Sequence, residues 1–366
     1  MKKTLVVVVA LLLVAITVMS GCTSAAPADS PAATAEAPAA TEAAPETADS
    51  PDTTTAEAPE TIVIGASFDN LDDPFWLGIK FGMDKAVAEL GDKVSISYQV
   101  AKADANTQNK QIQDMVTSGA NAIVCTYVDM DAIMQSVKLC NENNIPFVYA
   151  DRPIIDTDDA KATWGIATDN LELTRAGWEW AAQYAKDNGM ALNVLELQGS
   201  LTDDNVLKRA QALDEIIAKY PDVVKRVQSV PTEWNLEKCL AGVTNALAAH
   251  PEINCIFMMS DFLIPPTVQA LQAADRYAPI GDEKHVFLMG YSGSKAAVQA
   301  MDDKYMDMCF GMDVIKEGYE SVMAAYAYAT GGDTSAYTTP VNDPGFVMTQ
   351  ENLAETSKQA YGTNVD

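Results

Sequence analysis

Polar and aromatic residues that follow short apolar segments of this sequence have the side-chain types that bind a small polar ring. Asp151 and Arg152 stand side by side directly after one such segment. A carboxylate beside a guanidinium offers acceptors next to a fork of donors, and a hydroxyl group uses both. Phe75 and Trp76 follow Asp73 after another segment, where two adjacent aromatic residues beside carboxylates are unusual for a purely structural helix cap. These residues therefore favour a polyol-like ligand.

The same residues could also serve the structure alone. Asp73 is suited to cap a helix that Pro74 opens. Asp151 and Arg152 would also serve as a local ion pair at a hinge. A helix cap alone does not account for the adjacent aromatic ring of Trp76, so we keep both interpretations.

Further candidate residues follow later apolar segments, at places where a helix begins or a loop turns back. They are Asn205, Arg209, Trp234, Ser260, Asp261 and Ser292. Polar residues before a helix are common caps, so some members of this set are expected to be structural. Arg209 lies about one turn inside its helix, from which it would reach back towards a ligand.

The sequence offers little support for catalysis or for a cofactor. It contains two histidines, His250 and His285. Both precede Ser292, which excludes the order of an α/β-hydrolase triad at the weak G-x-S-like segment 290–294. No G-x-G-x-x-G motif follows a strand, and the acidic run 156–159 does not match a full calcium loop. We expect no metal and no cofactor; a glycosidase with two carboxylates is a remote alternative.

The elements that must position these residues alternate regularly from Thr61 onward. Apolar strands that alternate with amphipathic helices predict an α/β fold of doubly wound parallel sheets. A body of about 306 residues favours two such domains, because single cores stop growing near 250–300 residues. Ligands bind beyond the carboxyl ends of such strands. The strands are predicted at residues 62–67, 94–100, 122–126, 146–150, 163–167, 192–198, 225–230, 253–258, 285–290 and 306–311.

The order and spacing of these motifs resemble the type I periplasmic sugar-binding proteins, with the ribose- and xylose-binding proteins as the nearest members. The resemblance covers about residues 61–355. It rests on the Asp-Pro-Phe-aromatic run at 73–76, on the strand that ends in Asp151-Arg152, and on the loop 199–205, which looks like the xylose-binding version. The phrases at 111–116 and 144–146 are also typical of the family.

The resemblance implies two lobes joined by three hinge strands, with a sugar in the cleft between them. The N-terminal lobe would combine 61–167 with 312–339, and the C-terminal lobe would combine 168–311 with 340–366. Ligand binding would close the lobes by a hinge motion. The liganded protein, a monomer, would then be presented to the permease of an ABC-type importer.

The resemblance also assigns roles residue by residue. The aromatic residues would stack on the sugar ring: Phe75, Trp76 and Trp234. The polar residues would bind its hydroxyl groups: Asp73, Asp151, Arg152, Asn205 and Arg209. Ser260 and Asp261 stand where the family usually carries Asn-Asp, and Ser292 stands where it usually carries Asp. These departures from the family pattern affect the identity of the ligand more than its class.

The N-terminal region predicts export and lipid anchoring. In residues 1–22, two lysines precede an apolar run of about 15 residues, shorter than the roughly 20 that span a bilayer. Residues 19–22 resemble a bacterial lipobox, in which Cys22 would receive lipid; an uncleaved signal anchor is the alternative. Residues 23–60 contain 14 Ala, 6 Pro and no aromatic residue, which predicts a disordered tether. The protein would thus be held at the outer face of the cytoplasmic membrane.

Charge and cysteine usage narrow the choice of partners. The chain carries 51 acidic against 24 basic residues, a formal charge of −27. This negative charge excludes nucleic acid as a partner, because a protein that binds nucleic acid needs a basic surface to neutralise the phosphates. Cys125, Cys255 and Cys309 lie in apolar segments and are expected to be buried, although one bridged pair is an alternative.

Two further hypotheses keep the same fold but change the partner or the ligand. In the first, the protein has a sensory partner, namely a chemoreceptor or a histidine kinase, instead of a permease. In the second, the ligand is a nucleoside, a quorum signal or an amino acid instead of a sugar. An amino acid would need paired anion and cation sites, which Arg152 and Asp151 could supply, whereas the aromatic residues favour a ring-shaped ligand.

Overall fold

Two six-stranded sheets form the frame of residues 61–365, which are the residues that the computed structural model describes. The strands are β1 Ile62–Phe68, β2 Val94–Val100, β3 Ala122–Cys125, β4 Phe147–Ala150, β5 Trp164–Thr168, β6 Leu192–Gln198, β7 Val224–Pro231, β8 Cys255–Met258, β9 Phe287–Ser292, β10 Met308–Gly311, β11 Val341–Asp343 and β12 Phe346–Thr349. The helices are α1 Pro74–Leu90, α2 Ala105–Thr117, α3 Met134–Glu142, α4 Asn170–Asp187, α5 Asp204–Lys219, α6 Leu236–Ala249, α7 Ile264–Ala273, α8 Lys295–Asp302, α9 Val314–Thr330 and α10 Leu353–Thr356.

The sheets are almost entirely parallel, which confirms the predicted α/β class. The first sheet has the order β11-β5-β4-β3-β1-β2, and the second has the order β12-β10-β9-β8-β6-β7. Strand β12 runs antiparallel to β10, and the other neighbouring strands are parallel. Inner strands such as β3 and β4 are buried along their whole length because helices cover both faces.

The ten predicted strands are present, each within two residues of its expected ends. Strands β11 and β12 were not predicted. Strand β11 contains a single apolar residue and strand β12 is only half buried, so neither forms the continuous buried apolar run of the inner strands. Their place is fixed by pairing: β11 extends the first sheet beside β5, and β12 extends the second beside β10.

Helix α1 shows how local sequence sets the entrance to the site. Asp73 caps this helix, because its carboxylate accepts a hydrogen bond from the amide of Phe75 at 2.9 Å, and Pro74 opens the first turn. Further along, α1 crosses α9 at Gly82, where an added Cβ would lie 2.0 Å from the carbonyl oxygen of Ile315. This close approach lets both helices pack on the first sheet.

The chain passes from one sheet to the other three times. It does so after β5, after β10, and between β11 and β12. Residues 340–366 were expected in the C-terminal lobe, yet Val341–Asp343 pairs with β5 in the first sheet. The third passage therefore comes after β11 and not before it.

The predictions on the N-terminal region fall outside the described residues. The signal segment 1–22 with Cys22 and the tether 23–60 lie there. Within residues 61–365, no helix has the length and apolar character needed to cross a membrane. The cysteines of the described part are buried with free thiols: Cys125, Cys140, Cys239, Cys255 and Cys309.

Candidate ligand-binding site

A cavity of about 580 Å³ lies where loops from the carboxyl ends of strands in both sheets converge. The segments after β1, β2 and β4 contribute from the first sheet, and the segments after β6, β7, β8 and β10, together with the end of β9, contribute from the second. Ten of the eleven residues predicted from the sequence line it: Asp73, Phe75, Trp76, Asp151, Arg152, Asn205, Arg209, Trp234, Ser260 and Ser292. The volume suits a small ring with several polar groups.

Aromatic rings from both sheets border the cavity. Phe75 and Trp76 are both buried at the start of α1, and their rings meet edge to face with centroids 4.9 Å apart. Trp234 approaches from the segment between β7 and α6 and packs on Gly199, where an added Cβ would lie 1.9 Å from the indole. The indole Nε1 of Trp234 is buried and has no partner among residues 61–365. The first sheet and the second thus each offer an aromatic surface to a ligand.

Arg152 is the cation at the centre of the site. Its Nη1 donates to Asp69 Oδ2 at 3.0 Å and also to the carbonyl of Tyr127. Its Nη2 lies 3.0 Å from Asp203 Oδ2, and its guanidinium lies 5.0 Å from the ring centroid of Trp76. The Nε atom of Arg152 has no hydrogen-bond partner among the described residues. The side chain is therefore fixed in place by three acceptors and keeps one buried donor without a hydrogen-bond partner among the described residues.

Asp151, next to Arg152, has an unusual backbone conformation and a raised pKa. Its φ is 68°, in the left-handed region, and Asn205 Nδ2 donates to its Oδ1 at 3.2 Å. Burial raises the pKa of Asp151 to about 7; Arg152, with its Nε 3.7 Å from Asp151 Oδ2, opposes this shift, and the charge of Asp203 adds to it. Near neutral pH this carboxyl group therefore holds its proton part of the time.

Asp73 also titrates near neutral pH. Desolvation raises its pKa to about 7, even though the hydrogen bond from Phe75 and the charge of Arg152 act in the opposite direction. The charges of Asp261 and Asp69 add to the rise. Asp73 therefore fills the capping role that the sequence suggested and also faces the cavity.

Arg209 forms the second cationic wall. Its Nε donates to Asn170 Oδ1 at 2.8 Å, and its Nη1 donates to the carbonyl of Met259 at 2.5 Å. The guanidinium lies over Tyr291, 3.8 Å from the ring centroid. No carboxylate within residues 61–365 forms an ion pair with Arg209.

Asp261 differs from its predicted role, because it lies behind the cavity wall. Its oxygens accept hydrogen bonds from the amides of Tyr291, Gly293 and Ser294, at 2.7–2.9 Å, and from Ser292 Oγ at 3.3 Å. It thus holds the turn after β9, in which Ser292 has a φ of 115°. Ser292 in turn lines the cavity in front of it.

Some lining residues were not predicted from the sequence. They include Asp69, Asn70, Lys102, Met259, Phe262, Tyr291 and Met312. Asp69 follows β1 directly, so its position at a strand end was a signal that could have identified it. Tyr291 lies within β9, and only the packing of Arg209 on its ring reveals its place. Met312 follows β10 at a passage between the sheets, where the sequence has no polar pattern.

The described residues offer no arrangement suited to a metal. Within residues 61–365, no group of three or more His, Cys, Asp and Glu side chains could hold a metal ion. The carboxylates of Asp69 and Asp203 are already engaged by Arg152. His285, the more buried of the two histidines, pairs with Asp307 at 3.0 Å and lies apart from the cavity wall.

Comparisons with known proteins agree with this architecture. The model of the periplasmic binding protein domain family matches residues 64–333. The ribose import binding protein of Escherichia coli (strain K12) is 27% identical over 255 residues, which are 69% of this chain and 78% of that protein. A putative rhizopine-binding protein of Rhizobium meliloti is 27% identical over 305 residues, covering 82% of this chain and 94% of that protein. These relatives are solute-binding proteins, not enzymes.

Solved structures share the fold. An ABC transporter solute binding protein from Bacillus halodurans, solved with bound myo-inositol, has a TM-score of 0.73 at 22% identity and covers 82% of this chain and 99% of its own. A galactofuranose binding protein has a TM-score of 0.74 at 17% identity, covering 83% and 99%. At these identities the likeness concerns the fold alone.

Proposed function

Because this chain belongs to the periplasmic binding protein domain family, we propose that it is the substrate-binding subunit of an ABC-type importer. It binds a monosaccharide or a related small polar ring in the cavity and delivers it to a permease. Relatives named for ribose and rhizopine binding support this class of ligand. The observation that carries the proposal is the combination of aromatic faces and fixed polar groups around one cavity.

The chemistry of the cavity fits a sugar in two respects. The apolar C–H faces of a sugar pack on aromatic rings, which Trp76 and Trp234 supply from opposite sheets. The hydroxyl groups at the edge of the ring need both donors and acceptors, which Arg152, Asn205 and Asp151 supply. Affinity is higher when these side chains are already ordered in the ligand-free protein, because ordering them on binding costs free energy. The hydrogen bonds of Arg152 and Asn205 supply that order.

We also propose that the protein consists of two lobes connected by a hinge. Residues of the first sheet with α9 form one lobe, and residues of the second sheet with α4 form the other, joined where the chain passes between sheets. Ligand would bind to an open form and close the lobes around it. The liganded, closed form is the one that the permease recognises.

We further propose that the protein is exported and anchored to the membrane by lipid. Residues 1–22 direct export, Cys22 carries the lipid anchor, and residues 23–60 form a tether that leaves the body free to reach the permease. The protein acts as a monomer at the outer face of the cytoplasmic membrane. Release of the protein from membranes by Cys22→Ala would test the anchor.

Calorimetric titration of the purified full-length protein with pentoses, hexoses, their deoxy and amino derivatives, and cyclitols tests the ligand class. At least one compound should bind with saturation. Trp234→Ala should weaken that binding by about tenfold or more, because it removes a stacking face. Trp180→Ala is the matched control: Trp180 stacks on Tyr184 and does not line the cavity, so affinity should stay unchanged. Absence of binding across the panel would overturn the proposal.

A further inference from the structure

Carboxylates outnumber cations around the cavity. At the exposed rim, Asp72 and Lys102 offset each other. Deeper in the site, four carboxylates face two guanidinium groups, so the formal balance is 2 − 4 = −2; the groups are Asp69, Asp73, Asp151, Asp203, Arg152 and Arg209. Asp261 is left out of this count because four protein donors surround it.

Arg152 cannot offset these carboxylates alone. Three of them lie within 3.7 Å of its guanidinium: Asp69, Asp151 and Asp203. Arg209 pairs with no carboxylate in the described part of the chain, and two of its five donors bind Asn170 and the carbonyl of Met259. The excess of negative charge therefore lies on the side of the cavity formed by the loop after β1 and the end of β4.

One oxygen on that side lacks a partner in the described part of the chain. Asp69 is 3% exposed, and its Oδ2 accepts from Arg152 at 3.0 Å. Its Oδ1 is buried and accepts no hydrogen bond from residues 61–365, although the residue lines the cavity. A buried acceptor without a donor is costly, so the group needs a partner from the ligand. A hydroxyl group would supply this hydrogen bond but would leave the excess of carboxylates over cations around the cavity unchanged.

A ligand ammonium would satisfy both needs. Hydrogen bonds between charged partners are about twice as strong as those between neutral groups. The raised pKa values of Asp73 and Asp151, which burial chiefly causes, show that these carboxylates are poorly solvated in the empty cavity. Arg152 Nε and Trp234 Nε1 are donors without partners among the described residues, which suits hydroxyl or ring oxygens.

We infer that the ligand is a polyhydroxylated ring bearing one protonated amine, and that the amine binds at Asp69 and Asp73 while the hydroxyl groups bind at Arg152 and Trp234. This inference rests on the proposed function and narrows it from polar rings in general to amino sugars or amino cyclitols. Asp69 is then the residue that makes the site prefer a positively charged ligand over a neutral one.

Matched pairs of ligands test the inference on the full-length protein. Calorimetry would compare glucose with glucosamine, galactose with galactosamine, and scyllo-inositol with 1-amino-1-deoxy-scyllo-inositol at neutral pH. In at least one pair, the amine should bind more tightly than its neutral partner by about tenfold or more. If neutral members bind as tightly as their amines or more tightly, the inference is wrong and the proposed function stands. If nothing binds, both fail.

Charge-removing variants show whether Asp69 is responsible. Asp69→Asn keeps the shape but removes the charge, so the ratio of amine to neutral affinity should fall by about tenfold. Asp73→Asn, which keeps the capping oxygen, should lower the same ratio and serves if Asp69→Asn fails to fold. Asp114→Asn removes an exposed carboxylate on α2 away from the cavity and should leave the ratio unchanged. An unchanged ratio in both cavity variants would overturn the inference.

Discussion

The guanidinium of Arg152 and the carboxylate of Asp203 form a buried ion pair, with Nη2 and Oδ2 3.0 Å apart, that joins the two sheets across the cavity. Arg152 follows β4 of the first sheet, and Asp203 precedes α5 after β6 of the second. Asn205 reinforces this link by donating to Asp151 at 3.2 Å. The protein's own groups therefore hold the two sides of the cavity together in this structure.

Removal of Arg152 should destabilise the protein strongly. Arg152→Ala leaves the carboxylates of Asp69, Asp151 and Asp203 without their cation, and breaking a buried ion pair costs about 3–5 kcal/mol. Urea unfolding measures the free energy of unfolding. The control is Arg175→Ala, which breaks a more exposed pair with Glu215 and should cost less than about 1 kcal/mol. Equal losses in the two variants would contradict this account of Arg152.

Asp151 should make the stability of the ligand-free protein depend on pH. The pKa of Asp151 is raised to about 7 in the folded state from an ordinary 3.8, chiefly by burial. Between these values the folded state holds a proton that the unfolded state has released. The free energy of unfolding therefore decreases as pH rises through this window, and the full penalty is present above the folded pKa.

Asp151→Asn removes that titration while keeping an acceptor for Asn205. Below about pH 3.8 the variant and the wild type should be similarly stable, because the wild-type carboxyl group is then protonated in both the folded and the unfolded state. At about pH 8 the variant should be more stable by at least about 1 kcal/mol. The groups that act on this titration are Arg152, Arg209, Asp203 and Glu317. Chemical denaturation at both pH values measures the difference; a difference that stays constant or reverses would show that Asp151 is ionised throughout.

Gly199 should control the position of Trp234 without itself lining the cavity. A Cβ at this position would lie 1.9 Å from the indole, so Gly199→Ala must displace the ring. We expect the affinity for the ligand to fall by about tenfold, as for Trp234→Ala. Gly332→Ala, where an added Cβ comes closest to the Thr330 hydroxyl at 3.1 Å, is the control. Calorimetry that finds equal affinity in both glycine variants would mean that the indole does not contact the ligand.

Periodicity predicted ten strands well because they are mostly apolar runs of four to eight residues between clear helices. It failed for β11, since three residues carry no period and the strand depends on pairing with β5. Export, anchoring by Cys22 and the tether rest on sequence patterns alone, because residues 1–60 lie outside the described part.

Strand ends predicted most of the cavity wall, because the carboxyl ends of parallel strands meet in space. The sequence could not distinguish Asp261, which holds a turn, from a carboxylate that faces a ligand. That distinction depends on where the amides of Tyr291, Gly293 and Ser294 point. Asp69 was missed because the neighbouring aspartates, 72 and 73, gave the stronger local pattern. Its importance appears only when Arg152 is seen to bind one of its oxygens, while the other meets no donor from residues 61–365.

A crystal structure of the protein with the tightest ligand of the panel tests the central claim most directly. The account predicts a polar ring in the cavity, in contact with Trp76 and Trp234, with oxygen atoms within hydrogen-bond distance of Arg152. The ligand should donate to Asp69 Oδ1, the oxygen that has no partner among residues 61–365. Density for the ligand elsewhere, or a ring that contacts neither tryptophan, would contradict the account.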